Sequence, residues 1–521
     1  MNPVQLSLFV SESTAICREM GITLKRVALS PNIADRLDFS CALFSREGEL
    51  LAQAAHIPVH LGSMAYAMKD LVSLFDWAPS DSVIVNDPYL GGTHLPDITI
   101  ITPIFFDGTL SAFCASRAHH ADIGGDTPGS MPLASNLSAE GLIITPQYIC
   151  RNNKLESKTV ELLNKNLRTP DRTLVDILSQ ISANETGVKR TQRLIHKYGI
   201  DSFFDATQEM SEYSELLARR TIKLIPDGVY SASDIMDGDG LGNNTITISA
   251  SITIDGECAK VNFRGTAQSV SGNINCPVSV TAAAVYYVFY SLMPRDTPAC
   301  YGSLKPIVIE APRGCLVNAI APSACAAGNV ETSQRIVDVL LLALSDAIPD
   351  RIPASSQGTM NNLAMGNQHW GYYETIGGGT GGHSAGDGLS GVQSHMTNTL
   401  NTPVEIFEKN FPVMVQSYSI RRNSLGRGQT NGGNGLVREY RFEEPAQVTI
   451  LSERRQNCPP GHHGGGNGTR GQNSLNGKVI PGKATFQVKK FDVLKLETPG
   501  GAGWGPSFKN KKLIPFHLTN I

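Results

Sequence analysis

The chain has 521 residues, a formal net charge of −3 and only 17% charged residues. That length allows about three domains of ~150 residues each, with cores large enough to do without disulfides. The scattered charge gives no electrostatic footprint for nucleic acid, and no run reaches the ~18 apolar residues expected of a membrane span.

Ten cysteines occur without a C-x-x-C pair, and Cys41, Cys114 and Cys258 sit in apolar, strand-like runs. Reduced thiols in a cytoplasmic protein fit this better than a disulfide framework. Met1–Arg18 lacks the layout of a secretory signal. Fifty glycines against few charges point to a compact enzyme with long ordered loops.

Val4–Met20 carries apolar residues at helical spacing and meets Gly21, a plausible terminator. Phe39–Phe44 and Leu50–Ala54 read as a hairpin around Arg46-Glu47-Gly48. His56 and His60 follow, straddling Pro58, and Met64–Phe75 is helical in pattern. Ser82–Val85 is a short strand leading into Asn86–Asp97.

Next comes an apolar, β-branched run, Ile98 to Ser116, centred on Asp107-Gly108, a strong hairpin-turn dipeptide. His94 and Asp97 precede this run, and His119, His120 and Asp122 follow it. With facing residues summing to about 215 around that turn, Asp97 would oppose Ala118 and Pro96 would oppose His119. Two imidazoles and a carboxylate then meet at one end of the hairpin, a set that suits a divalent transition metal with open positions. The competing reading is a pair of surface or core histidines. Five of the twelve histidines fall between His56 and His120, which favours a site.

Glu140–Pro146 reads as extended, and Ser157–Leu167, Arg172–Tyr198 and Asp205–Ile225 as helices. Gly228–Phe263 is β-rich, with Asp234–Gly240 a turn rather than a calcium loop, since it lacks the closing glutamate. Thr281–Leu292 and Ser333–Ala347 are apolar helical runs, with Asn329, Thr332 or Ser333 as possible N-caps. Their apolar surface suggests an interface with another subunit, against the alternative of core burial. Ile376–Gly391 holds eight glycines in sixteen residues but no lysine-serine/threonine of a phosphate loop, so close backbone approach explains it better than nucleotide binding. From Phe411 onward the chain reads as all-β, with His462-His463 in a loop.

Together these predict a mixed α/β, α+β-type multi-domain protein: a metal-bearing α/β region at 1–200, a central β and helical region at 201–355, and a glycine-rich, β-rich region at 356–521.

Longer strings carry a family resemblance. Arg36–Phe44, Ala55–Met64, Asn86–Asp97, Arg117–Met131, Gly272–Pro277, Gly328–Arg335, Ser394–Glu405 and Thr498–Gly501 are similar, in order, to the hydantoinase B/oxoprolinase family. The resemblance implies a subunit of an ATP-dependent amidohydrolase that opens cyclic amides, lactams or hydantoins. A hydantoinase A-like partner would bind ATP and phosphorylate the substrate carbonyl oxygen. The glycine richness, low charge and apolar helices add the expectation of a stable heteromer with it, a dimer of heterodimers. The resemblance also implies a metal (zinc, manganese or iron) on His94, Asp97 and His119, with water as nucleophile. His56, His60, His120, Asp122 and Glu140 are the candidates for moving protons onto the leaving nitrogen. An ATP-dependent ketone carboxylase subunit and a scaffold with a structural metal are the alternatives.

Overall fold

The computed structural model describes residues 1–54 and 57–507. Seven strands form the first sheet: β1 (Phe39–Ser45), β2 (Leu50–Gln53), β3 (Ser82–Val85), β4 (Asp97–Phe106), β5 (Thr109–His119), β6 (Gln147–Arg151) and β7 (Lys154–Leu155). Their order is β2-β1-β5-β4-β3-β6-β7, and every neighbouring pair is antiparallel. Both faces are covered, which is why β4 and β5 read as nearly continuous apolar runs. Cys41, Leu43 and Cys114 pack with Phe9, Ile16 and Met20 on one side, while Ala42, Phe44 and Phe113 pack with Met64 and Met68 on the other.

The long hairpin corrects the sequence register. Asp107 and Gly108 both have positive φ, as the tight turn requires, and Phe106 pairs with Thr109. A bulge at Ser111 then shifts the pairing by one, so Asp97 faces His119 directly and Ile98 faces Ala118.

The first helix, Pro3–Val27, runs through Gly21, which is buried inside it. Packing against the helix Pro170–Tyr198 outweighs the modest propensity cost of an internal glycine. The helix Pro58–Val72 lies between the first sheet and the helix Val278–Ser291. A Cβ on Gly62 would come within 2.5 Å of Ala283 Cα, so glycine sets that close approach.

A second sheet holds β8 (Gly228–Met236), β9 (Ile246–Asp255), β10 (Cys258–Asn262) and β11 (Ile307–Glu310). The helix Ser333–Leu344 packs on β8 and β9, preceded by a π-helical turn at Gly328–Thr332. This helix and Val278–Ser291 are largely buried in one core with the second sheet. Their apolarity therefore serves the protein's own interior, correcting the expectation of an interface there.

The remaining strands form two packed sheets. One contains Gly371–Glu374, Asn362–Gly366, Ala446–Leu451 and Lys483–Val488, and the other Val413–Arg421, Gly435–Phe442, Val493–Glu497, Gln472–Leu475 and Lys478–Ile480. Stretches of the glycine-rich segments hydrogen-bond to one another: Gly433 N donates to Thr380 O and Gly501 N to Gly433 O. A Cβ on Gly379, Gly433 or Gly501 would overlap neighbouring backbone. The largest core joins Ile57 and Val59, the central helices, and Met360, Tyr373, Met396 and Leu451. It thus spans both boundaries expected at 200 and 355. Among the described residues no helix is long and apolar enough to cross a membrane.

Candidate metal centre

The loop before β4 is built to deliver His94 and Asp97. Asn86 Nδ2 donates to Leu95 O (2.8 Å) and Leu142 O (2.9 Å), and its Oδ1 accepts from Ile144 N (2.6 Å). Fully buried Arg117 on β5 clasps the loop from beneath, donating to Gly91 O, Thr99 Oγ1 and Ser63 Oγ at 2.6–2.8 Å.

Asp97 Oδ1 lies 3.1 Å from His94 Nε2 and 3.3 Å from His119 Nδ1. Oδ2 takes Thr93 Oγ1 at 2.5 Å and His60 Nε2 at 3.1 Å. All of these side chains are buried. His94 and His119 meet edge to face at 5.1 Å, and His119 stacks on Tyr373 with ring centroids 4.6 Å apart and planes 12° from parallel.

Electrostatics organise the trio. Burial would raise the Asp97 carboxyl, but His94 and His60 outweigh it and hold the group well below the usual carboxylate range. Burial likewise opposes protonation of His94, yet Asp97, with help from Glu140 and Asp38, keeps it above its ordinary value. Burial lowers His119, favouring the neutral imidazole that a metal needs.

The residues fit a divalent ion. One ligand atom each from His94, Asp97 and His119 lies within 4.8 Å of the others. His94 Nδ1 and His119 Nε2 are buried without hydrogen-bond partners, so the cluster does not satisfy itself. Two imidazoles and one carboxylate are a donor set compatible with zinc, manganese or iron.

The other sequence candidates divide. His60 sits in the first turn of Pro58–Val72 and touches Asp97, with Nδ1 3.4 Å from Ser40 Oγ. Glu140 is buried at the end of the short helix Leu137–Glu140. Its Oε1 accepts from Cys325 N (2.9 Å) and Ala326 N (2.8 Å), and burial pushes its carboxyl up to about 7, with His94 among the charges that act on it. His120 lies against the helix Pro170–Tyr198, its Nε2 2.9 Å from Gln180 Oε1. Asp122 is engaged by the amides of Arg168 (2.6 Å) and Thr169 (2.8 Å) at that helix's start. His56 lies outside the described residues. Thr93, Ser40 and Tyr373 escaped the sequence reading. The first two are small polar residues without a spacing signal, and Tyr373 reaches His119 only through the tertiary fold.

A mixed α/β protein with a buried two-histidine, one-carboxylate centre is the class these features define. The chain belongs to the hydantoinase B/oxoprolinase family, whose model matches residues 2–507. It is 40% identical to 5-oxoprolinase 1 of Arabidopsis thaliana, an alignment covering 96% of this chain but 42% of that protein. The chain thus spans less than half the length of that relative. Two solved structures share the fold. One is the ATP-dependent caprolactamase of Pseudomonas jessenii (TM-score 0.91, 24% identity, covering 97% of this chain and 91% of that one). The other is an acetone carboxylase (TM-score 0.87, 18% identity, covering 97% and 76%).

Proposed function

We propose that this chain is the ring-opening component of an ATP-dependent amidohydrolase. It receives a cyclic amide or ureide activated as a phosphate on its carbonyl oxygen by a hydantoinase A-like ATP-binding partner, and brings water to the activated carbon. The observation that carries this reading is the buried trio His94, Asp97 and His119 with unpaired ligand nitrogens, set in a family with a 5-oxoprolinase among its members.

A divalent ion held there would supply Lewis-acid chemistry, making water nucleophilic near neutral pH. His60 and Thr93 hold Asp97 Oδ2, which leaves Oδ1 aimed between the two histidines. Burial of the site excludes bulk water from the fragile phosphate. Water adds to the activated carbon, and the carbon–nitrogen bond breaks as Glu140 gives its proton to the departing nitrogen. The acyl phosphate left behind takes up a second water to release the carboxylate and inorganic phosphate.

The Glu140 role predicts a pH limb. A carboxyl near 7 is protonated below that value and loses the proton above it, so the rate should fall as pH rises through about 7. In Glu140→Gln the limb should vanish and the rate drop by about 10²–10⁴-fold. A variant keeping both limb and rate removes Glu140 from the mechanism.

The partner supplies ATP chemistry, and the glycine-rich segments here are occupied with one another's backbones. Calorimetry on the single purified chain should therefore show no ATP binding at micromolar concentration, and tight binding would contradict the division of labour. Co-expression with the partner should give a stable complex, read here as a dimer of heterodimers.

The deciding experiment incubates that complex with ATP and a panel of lactams and hydantoins, and in parallel with ketone and labelled bicarbonate. Ring opening supports the proposal. Label fixed on the ketone would replace it with the carboxylase reading that the fold of acetone carboxylase keeps open. A folded, fully active His94→Ala complex would leave only a scaffold role.

A further inference from the structure

Two motif blocks, Gly328–Arg335 and the segment beginning at Ser394, have no part in the chemistry above. The first opens with the π-helical turn Gly328–Thr332, a geometry that recurs at functional sites. Two connections tie its neighbourhood to the metal centre. Upstream, the amides of Cys325 and Ala326 hold Glu140, whose charge acts on His94. Within the turn, Glu331 Oε1 accepts from Asn362 Nδ2 (2.7 Å), and Asn362 Oδ1 accepts from the Tyr373 hydroxyl (2.8 Å) whose ring stacks on His119. The turn therefore bridges from the His94 side of the centre to the His119 side.

The second block meets it there. Gln334 Nε2 donates to Ser394 O at 3.0 Å, Gln393 Nε2 donates to Thr375 Oγ1 at 3.0 Å, and Val59 N, next to His60, donates to Met396 O at 3.4 Å. The bond to a backbone carbonyl commits the Gln334 amide nitrogen and so fixes its opposite atom as the carbonyl oxygen, while the Gln393 amide nitrogen faces the Thr375 hydroxyl. The oxygens Gln334 Oε1 and Gln393 Oε1 are buried without a partner, as are Asn329 Oδ1 and Ser394 Oγ. A buried acceptor left unpaired costs roughly 1–3 kcal/mol, and these four lie on two segments that hydrogen-bond to each other.

We propose that Asn329, Gln334, Gln393 and Ser394 form the substrate-recognition wall of the centre, accepting hydrogen bonds from the N–H groups of a small ring amide or ureide. This inference rests on the amidohydrolase reading and names how its substrate is held. The amide oxygens accept but cannot donate, so they pair with a ring's N–H and not with its N-methylated form. Gln393 and Ser394 are partly buried as residues, while the acceptor atoms Gln393 Oε1 and Ser394 Oγ are themselves buried.

The test uses the full-length chain loaded with Zn²⁺ and two probe pairs: pyrrolidin-2-one and imidazolidine-2,4-dione, each against its fully N-methylated form. Binding is read by ligand-detected NMR titration. The native chain should prefer each N–H ring by about tenfold, a 1.4 kcal/mol difference for one good hydrogen bond. Gln334→Met and Ser394→Ala should reduce that preference to less than about threefold, with zinc content and melting temperature unchanged, whereas Ser394→Thr, which keeps a hydroxyl, should retain it. No probe binding, no N–H preference in the native chain, or an undiminished preference in both variants would overturn the proposal. Because the readout is binding without ATP or partner, it is independent of whether the complex opens rings. Absent turnover would sink the amidohydrolase reading while leaving this measurement intact.

Discussion

Replacing His119 with alanine is expected to strip the divalent ion from the purified protein and to abolish turnover by the complex. Asp97 Oδ1 is approached from two sides by imidazoles at 3.1 and 3.3 Å, and the variant removes one of the three side chains able to supply a ligand atom. Losing a residue that merely orients a ligand typically weakens metal binding by about 10–100-fold, so losing a ligand should exceed that range. The variant also removes the ring stacked on Tyr373, leaving a small buried void. A melting temperature lowered by a few degrees is therefore expected alongside metal loss. Elemental analysis checks the assignment: near one metal per native chain, and little in His119→Ala or His94→Ala. Full metal content in both variants would refute it. His120→Ala is the control, since that ring is held by Gln180 on the neighbouring helix, and it should keep the ion.

How far the sequence anticipated this site depends on the kind of signal each residue carried. His94, Asp97 and His119 were legible because a two-residue turn at Asp107-Gly108 fixes what faces what along β4 and β5. The one-residue error in register came from the bulge at Ser111, which no turn dipeptide announces. Gly21 reads as a helix end because propensity is local, whereas the packing of Pro3–Val27 on Pro170–Tyr198 that carries the helix through it is tertiary. The apolar helices Val278–Ser291 and Ser333–Leu344 were found as elements. Periodicity could not say that a second sheet, and not a second subunit, covers them. Tyr373 lies 254 positions beyond His119, on a strand that pairs with its immediate predecessor, and meets His119 only through tertiary packing. The centre is thus written in a local motif and completed by contacts that only the fold reveals.

The other large effect is expected at Arg454→Met, far from any ligand. Arg454 is buried and its Nη2 donates to Asp234 Oδ2 at 2.6 Å and to Asp338 Oδ2 at 2.8 Å. Arg335 is buried beside it, 3.1 Å from Asp234 and 3.2 Å from Glu453, which also pairs with Lys483. The cluster ties β8, the helix Ser333–Leu344 and the segment after Ala446–Leu451 together. Methionine fills much of the volume but leaves two mostly buried carboxylates sharing one remaining guanidinium. Breaking such a pair costs about 3–5 kcal/mol, because the surviving charge stays desolvated. The pH dependence gives the cause away. In the native protein, burial would raise Asp234, but Arg335 and Arg454 hold it below its ordinary value. Its stabilising contribution is therefore present at neutral pH and lost as pH falls through that lowered value. Without Arg454 the depression shrinks, so the stability gap between variant and native should be widest near pH 7. It should narrow only as pH falls below about 4, the ordinary Asp value, towards the lowered native one. Urea denaturation at pH 7 and at about pH 2.5 measures this. A gap of equal size at both would assign the loss to packing and not to the uncompensated charges.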